Sequence, residues 1–311
     1  MDLLAGFLDG PRARGAFLLR SSLDPPWSLR IEDRAPLTVV AVVRGTAWVV
    51  PDGAAPTRLA PGDVALVRGP EPYTVADDPA TPPGIIIHPG QLCTTPDGRS
   101  LSEEMDLGVR TWGNSPDGAA VLLTGTYQTD GEVTQRLVGV LPSLVVVEHD
   151  AWDSPLVPLL ASEIVKNEPG QEVVLDRLLD LLLVAALRAW FARPESDAPA
   201  GYRAHSDPVV GRALQLLQHN PAHPWSVAEL AAAAGMSRAA LARRFHEIVG
   251  EPPMAFLTSW RLTLAADLLQ DPHVAVGAVA HQVGYPSPFT FSTAFKRVYG
   301  VSPTAHRSTA A

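Results

Sequence analysis

The chain has 311 residues, 46% of them apolar, and a formal net charge of −9 at pH 7. That length predicts two domains with well-packed cores, and no apolar run has the length and purity of a membrane span: the closest, residues 178–184, is short and is soon followed by Arg188. The single cysteine, Cys93, excludes an internal disulfide and suits a reducing cytoplasm, and the start of the chain lacks a basic segment followed by a signal-like apolar run, which argues against export.

Residues 1–20 read as a short amphipathic lead into a first strand. From Trp27 to Val147, β-rich runs at 37–44, 46–50, 63–67, 84–88, 121–126 and 144–147 alternate with Pro/Gly turns at 51–53, 60–63, 79–84 and 96–98. Short strands at this spacing predict a barrel or sandwich. The segment Leu59-Ala60-Pro61-Gly62-Asp63-Val64, with the run 36–50 and its Gly45 before it, resembles a cupin. The resemblance implies a cupin-like β-barrel over residues 1–150 that serves as a ligand sensor.

Many cupins hold a metal through closely spaced His and Glu side chains. Between residues 20 and 150 this chain has only His88 and His149, and Tyr73 stands where a ligating His often falls. No metal, no other cofactor and no enzyme activity are therefore expected. A pocket lined by apolar and aromatic groups is the better use of a barrel, with Trp27, Trp48, Tyr73, His88, Trp112 and Tyr127 as candidates. Cys93 follows a strand and is a candidate thiol sensor. With no second cysteine, an intrachain disulfide switch is excluded, and a buried inert thiol is the plainer reading.

Residues 154–167 and 171–192 read as helices separated by Pro169-Gly170. The second is apolar nearly all round and must be covered on more than one side. Leu179, Leu182, Leu183 and Ala186 are the expected dimer contacts, which makes 151–193 a helical dimerisation segment. Residues 194–207 read as a polar linker, and Asp207-Pro208 starts a new helix with Asp as N-cap and Pro at its first position.

The rest of the chain repeats itself. Ala231, Gly235, Phe245, Gly250 and Pro253 recur as Ala280, Gly284, Phe295, Gly300 and Pro303, with one residue added just past the second turn. A small Ala, a Gly four residues on and an apolar anchor (Leu241, Phe291) is the grammar of a helix-turn-helix. Two copies about fifty residues apart make the signal strong. The first recognition helix is expected from Ser237 to about Val249, with Arg238, Ala239, Ala242 and Arg243 facing base edges and Arg243 best placed to read guanine. The second is expected from Ser287 to Tyr299, with Pro288, Phe289, Ser292 and Thr293 exposed. That set is poor in charge and suits thymine methyls or DNA shape. Ser237, Arg244, Ser287, Lys296, Arg297 and Arg307 are expected at phosphates. A helix over 254–269, carrying Phe256, Leu257, Trp260 and Leu264 at helical spacing, joins the two halves as a rigid spacer. Residues 208–311 carry eight Lys/Arg against five Asp/Glu, a charge of +3, while residues 1–207 carry −12. The basic half suits DNA, and the acidic half keeps the molecule soluble.

From Ala280 through Val283-Gly284-Tyr285, Phe291, Phe295-Lys296-Arg297, Gly300 and Ser302-Pro303 to Arg307, the chain resembles the AraC/XylS family of transcription regulators. It departs from the usual pattern at His306, where the family has Tyr or Phe. The resemblance covers residues 208–307 and implies a domain whose two recognition helices enter successive major-groove segments. The expected fold is α+β and multidomain: an N-terminal cupin-like β-barrel, a helical dimerisation segment and an all-α C-terminal domain with two helix-turn-helix units. The expected function is a cytoplasmic, ligand-responsive activator. Its expected partners are double-stranded promoter DNA, RNA polymerase, a small-molecule effector and a second copy of itself, with no membrane. The alternatives are a repressor of the same build, or a cupin enzyme fused to a DNA-binding module.

Overall fold

The computed structural model describes residues 17–127, 138–139, 141–152, 154–193, 207–271 and 273–309. The lead expected before residue 17 and residues 194–206 of the expected linker lie outside them. The chain divides into two compact units, one holding residues 17–127 and 141–193, the other residues 207–309.

The first unit is built from strands β1 (Phe17–Leu23), β2 (Ser28–Ile31), β3 (Leu37–Arg44), β4 (Ala47–Pro51), β5 (Thr57–Leu59), β6 (Val64–Arg68), β7 (Tyr73–Ala76), β8 (Ile85–His88), β9 (Leu92–Thr94), β10 (Thr111–Gly113), β11 (Ala120–Tyr127) and β12 (Leu144–Val147). They form two six-stranded sheets, ordered β10-β1-β11-β3-β6-β12 and β5-β4-β7-β2-β8-β9. The closed barrel expected from the sequence is thus replaced by two open sheets. Three of the four edge strands, β5, β9 and β10, have only three residues, so little unpaired edge is left for closure to cover.

The strands β1–β10 and β2–β8 pair in parallel, and the remaining pairs are antiparallel. The sheets share one core. Val40 and Val42 of β3, Ala65 and Val67 of β6 and Leu122 of β11 meet Leu29 of β2, Ala47 and Val49 of β4, Val75 of β7 and Ile87 of β8. Strand β4 alternates buried and half-buried side chains, as a strand with one covered face must. Strand β3, LTVVAVVR, is buried on both faces over its first six residues and needs cover on its other side.

Helices α1 (His149–Trp152), α2 (Leu156–Glu163) and α3 (Gln171–Phe191) follow β12. Helix α2 packs on β3, and α3 packs on α2 and β12. Helix α3 also lies close to β11: a Cβ on Gly125 would come within 2.4 Å of the Leu179 side chain. The Tyr127 hydroxyl at the end of β11 donates to Asp180 of α3 at 3.5 Å. The Pro61-Gly62-Asp63 turn ties the start of α1 to the sheet. Asp63 accepts from the Ala60 N–H at 2.7 Å and from the His149 N–H at 2.8 Å.

The second unit is helical: α4 (Pro208–His219), α5 (Val227–Ala233), α6 (Arg238–Val249), α7 (Pro253–Leu268), α8 (Val276–Gln282), α9 (Pro288–Tyr299) and α10 (Pro303–Thr309). Local chemistry sets these boundaries. Asp207 caps α4, Ser226 and Glu229 form a capping box on α5, and Ser237 and Ser287 cap α6 and α9. Gly250 and Gly300, both left-handed, end α6 and α9. Gly284 has φ +87°, and a Cβ there would lie 2.6 Å from the Ala222 Cα, so only glycine fits.

The helical core divides in two. Leu214, Leu217, Leu230, Leu241, Phe245, Phe256 and Trp260 form one cluster. Leu262, Leu269, Val279, Val283, Phe291 and Phe295 form the other. Helix α7 contributes to both, which is the spacer geometry expected for residues 254–269.

Candidate nucleic-acid interface and β-unit cavity

In α6, Leu241 and Phe245 are fully buried while Arg238, Ala239 and Arg243 are exposed and Ala242 is half-buried. The face expected to meet base edges is therefore open to solvent. Arg243 Nε lies 4.0 Å from Glu247 Oε1, one turn along, with both side chains largely exposed. An exposed pair of this kind is weak and readily exchanged for another acceptor.

In α9, Phe291 and Phe295 are fully buried. Pro288, Phe289, Thr293, Lys296 and Arg297 are exposed, and Ser292 is half-buried. Phe289 has 81% of its surface in water, the most exposed of the large apolar side chains among the described residues. The Thr293 hydroxyl donates back to the Phe289 carbonyl at 3.0 Å. Phe289, Ser292, Thr293, Lys296, Arg297 and Ser302 border one shallow surface depression. Ser302 was missed in the sequence because it belongs to the following turn, and only folding brings it beside α9.

Two expected phosphate contacts are otherwise engaged. Arg244 donates through Nε and Nη2 to Asp207 at 2.9 and 2.6 Å. Arg307 donates to the carbonyls of Leu269 at 3.3 Å and Val274 at 2.5 Å, satisfying an orphan acceptor at the end of α7. Each guanidinium finds an internal partner that is distant in sequence, whereas Lys296 and Arg297 stay exposed beside the face of α9. Ser237 and Ser287 spend their hydroxyls on helix caps, accepting from Ala240 and Thr290.

Asp207 does two things at once. Its carboxylate takes the Arg244 ion pair and also accepts from the Val209 and Val210 N–H groups at 3.0 and 2.9 Å. Arg244 first, then these N–H groups, hold the carboxyl below the usual carboxylate range against the opposing effect of burial. The folded pKa is depressed, so the stabilisation is present above the unfolded value of about 3.9 and is lost as pH falls through the folded one. Asp207→Ala should cost about 1–2 kcal/mol at neutral pH. The gap between variant and wild type in urea unfolding should close as pH drops below about 4.

In the β unit a cavity of about 160 Å³ lies between the sheets, walled by residues that include Phe17, Leu19, Ile31, Asp33, Tyr73 and Trp112. Tyr73 and Trp112 were among the expected lining residues. The other four sit elsewhere, for separate reasons. Trp27 packs in the common core. Trp48 alternates with the buried Ala47 and Val49 and so faces away from that core. His88 is paired with Thr94 Oγ1 at 2.9 Å across β8 and β9, and Tyr127 is tied to α3. Polar lining residues went unnoticed in the sequence, although one signal exists: Leu29, Ile31 and Asp33 alternate, and all three line the cavity. Burial raises the pKa of the Tyr73 phenol.

Cys93 also lines the cavity. Its thiol donates to the Gln91 carbonyl at 3.6 Å, and burial pushes its pKa up, which disfavours the reactive thiolate. Among the described residues no group of three or more His, Cys, Asp and Glu side chains could hold a metal ion. No helix among them is long and apolar enough to cross a membrane.

The expected dimer contacts face inward. Leu179, Leu182, Leu183 and Ala186 are buried within the single chain, because that side of α3 supplies the cover the sheet and α2 require. The exposed apolar residues of α3 are Val173, Val174 and Leu181.

Comparison with known proteins joins these two halves. A family model described as Cupin matches residues 2–192, and one described as Helix-turn-helix domain matches residues 230–309. An AraC-like transcription regulator from Streptomyces lividans is 31% identical over 286 residues, 90% of each chain. The HTH-type transcriptional regulator AlkR of Acinetobacter baylyi is 27% identical over 314 residues, 99% of each chain. Among solved structures, an AraC-type regulator from Chromobacterium violaceum is 28% identical, covering 35% of this chain and 96% of its own with a TM-score of 0.33. With a cupin model and a helix-turn-helix model matching this chain in that order, and a relative 31% identical over nine-tenths of both lengths, the chain belongs to the AraC family of DNA-binding transcription regulators.

Proposed function

We propose that the protein is a one-component, ligand-responsive activator that works in the cytoplasm as a homodimer and contacts RNA polymerase. Residues 1–150 sense a small molecule without catalysis, 151–193 dimerise, 194–207 link, and 208–307 bind promoter DNA through two helix-turn-helix units. The observation that carries the reading is the α6 surface: Arg238, Ala239 and Arg243 are exposed opposite the buried anchors Leu241 and Phe245. An arginine near the N-terminal part of such a helix suits bidentate readout of guanine. Helix α9 supports base or shape contact through Pro288, Phe289, Ser292 and Thr293, with Lys296 and Arg297 for phosphate. Dimerisation is better assigned to the outward residues Val173, Val174 and Leu181 than to the buried ones, since only exposed apolar surface gains by association.

Selection of bound sequences from random DNA tests this reading. Arg243→Ala should lose about 1–3 kcal/mol on the preferred site and relax one base position. Lys296→Ala should weaken all sites alike and flatten the salt dependence. Arg307→Ala should instead lower the stability of the fold and leave the salt slope intact. Unaltered selectivity in Arg243→Ala would place the recognition face elsewhere.

A further inference from the structure

We propose that the cavity between the two sheets binds a small organic cation: an amine with an apolar body, of about six to ten non-hydrogen atoms. This rests on the reading that the β unit senses a small molecule, and it names the class of that molecule.

Size sets the first limit. A cavity of about 160 Å³ is close to one known to hold benzene, and it lies below the several hundred Å³ typical of drug-sized ligands. The walls set the second. Phe17, Leu19, Leu29, Ile31, Ile87 and Trp112 give a mostly apolar surface, which suits neither a sugar nor a polyanion.

Charge sets the third. Asp33 lies on the cavity wall and is 7% exposed. Its carboxylate accepts from the Ala35 N–H at 3.1 Å and the Gln91 side-chain amide at 3.0 Å, both neutral donors. Among the described residues, no Lys, Arg or His forms an ion pair with it. A carboxylate has about four acceptor sites, so capacity remains. A buried negative charge without a cation is costly, and an entering ammonium group supplies the missing partner.

The test uses the full chain and three probes of similar size: tyramine, the neutral 4-ethylphenol and the anionic 4-hydroxybenzoate. Calorimetry should show tyramine binding at least about tenfold more tightly than 4-ethylphenol, as a charge-assisted hydrogen bond implies, with 4-hydroxybenzoate weaker still. Asp33→Asn should erase the advantage of the amine. Should that variant fail to fold, Thr124→Ile, which fills the cavity from β11 with a residue suited to a strand, should abolish binding of tyramine. Equal affinity for the neutral or anionic probe, no binding by any probe, or tyramine affinity unchanged in both variants overturns the proposal. Tyramine bound in this way with promoter affinity unaltered would uphold the ligand class and sink the sensing role. A neutral probe that binds and shifts promoter affinity would do the reverse.

Discussion

Leu183→Glu is expected to unfold the β unit, whereas Leu181→Glu, two residues away, leaves it folded. Leu183 is fully buried and Leu181 is 51% exposed on the same helix, α3. The first substitution removes a packed side chain, worth about 2–5 kcal/mol. It also brings a carboxylate into a site with no prepared partner, which adds a desolvation cost of several kcal/mol. The sum, on the order of 5 kcal/mol or more, rivals the whole stability of a typical domain. Replacing Leu181 removes little buried area and should change stability by less than about 0.5 kcal/mol. If the outward face of α3 is where two copies meet, that variant should be a folded monomer with weakened promoter binding. Circular dichroism melts and light scattering separate the cases. A cooperative melt for Leu183→Glu at the wild-type temperature would show that its side chain does not lie inside.

Phe245→Ala and Phe295→Ala should each cost about 3–5 kcal/mol, but in different places. Both rings are fully buried. Phe245 belongs with Leu230, Leu241 and Phe256, and Phe295 with Val279, Val283 and Phe291. The partly buried Leu264 of α7 packs against both clusters, so coupling between the halves passes largely through that helix. Hydrogen exchange should therefore show protection lost first in α5 and α6 for Phe245→Ala, and in α8 and α9 for Phe295→Ala. Uniform loss across all the helices in both variants would mean one cooperative core, with the division between clusters irrelevant to stability. Each variant should also lose DNA affinity, because a recognition helix that frays presents no fixed face.

The helical unit was legible in the sequence because its determinants are local. Ser237, Ser287 and Asp207 cap helices through hydrogen bonds spanning two or three residues. Gly250 and Gly300 end helices through their own backbone freedom. The four-residue spacing of Leu241 and Phe245, and of Phe291 and Phe295, states which face is buried before any partner is known. The strands of the β unit that carry β-branched runs, such as β3 and β12, were legible for the same reason. The shorter strands β5, β9 and β10 hold too few residues to show a period.

Tertiary structure decided everything that depends on a partner distant along the chain. Helix α3 is apolar nearly all round, so its pattern has no preferred side. Only the position of β11 and α2 put Leu179 and Leu183 inside and left Leu181 in water. Arg244 and Arg307 are arginines on a basic domain, and nothing local distinguishes them from Arg243. Only the fold brings Arg244 to the carboxylate of Asp207, 37 residues before it, and Arg307 to the carbonyl of Leu269, 38 residues before it. The cavity is of the same kind. Tyr73, Asp33 and Trp112 come from strands and loops that meet only when two sheets are laid together, and no period in the sequence records a wall shared by both.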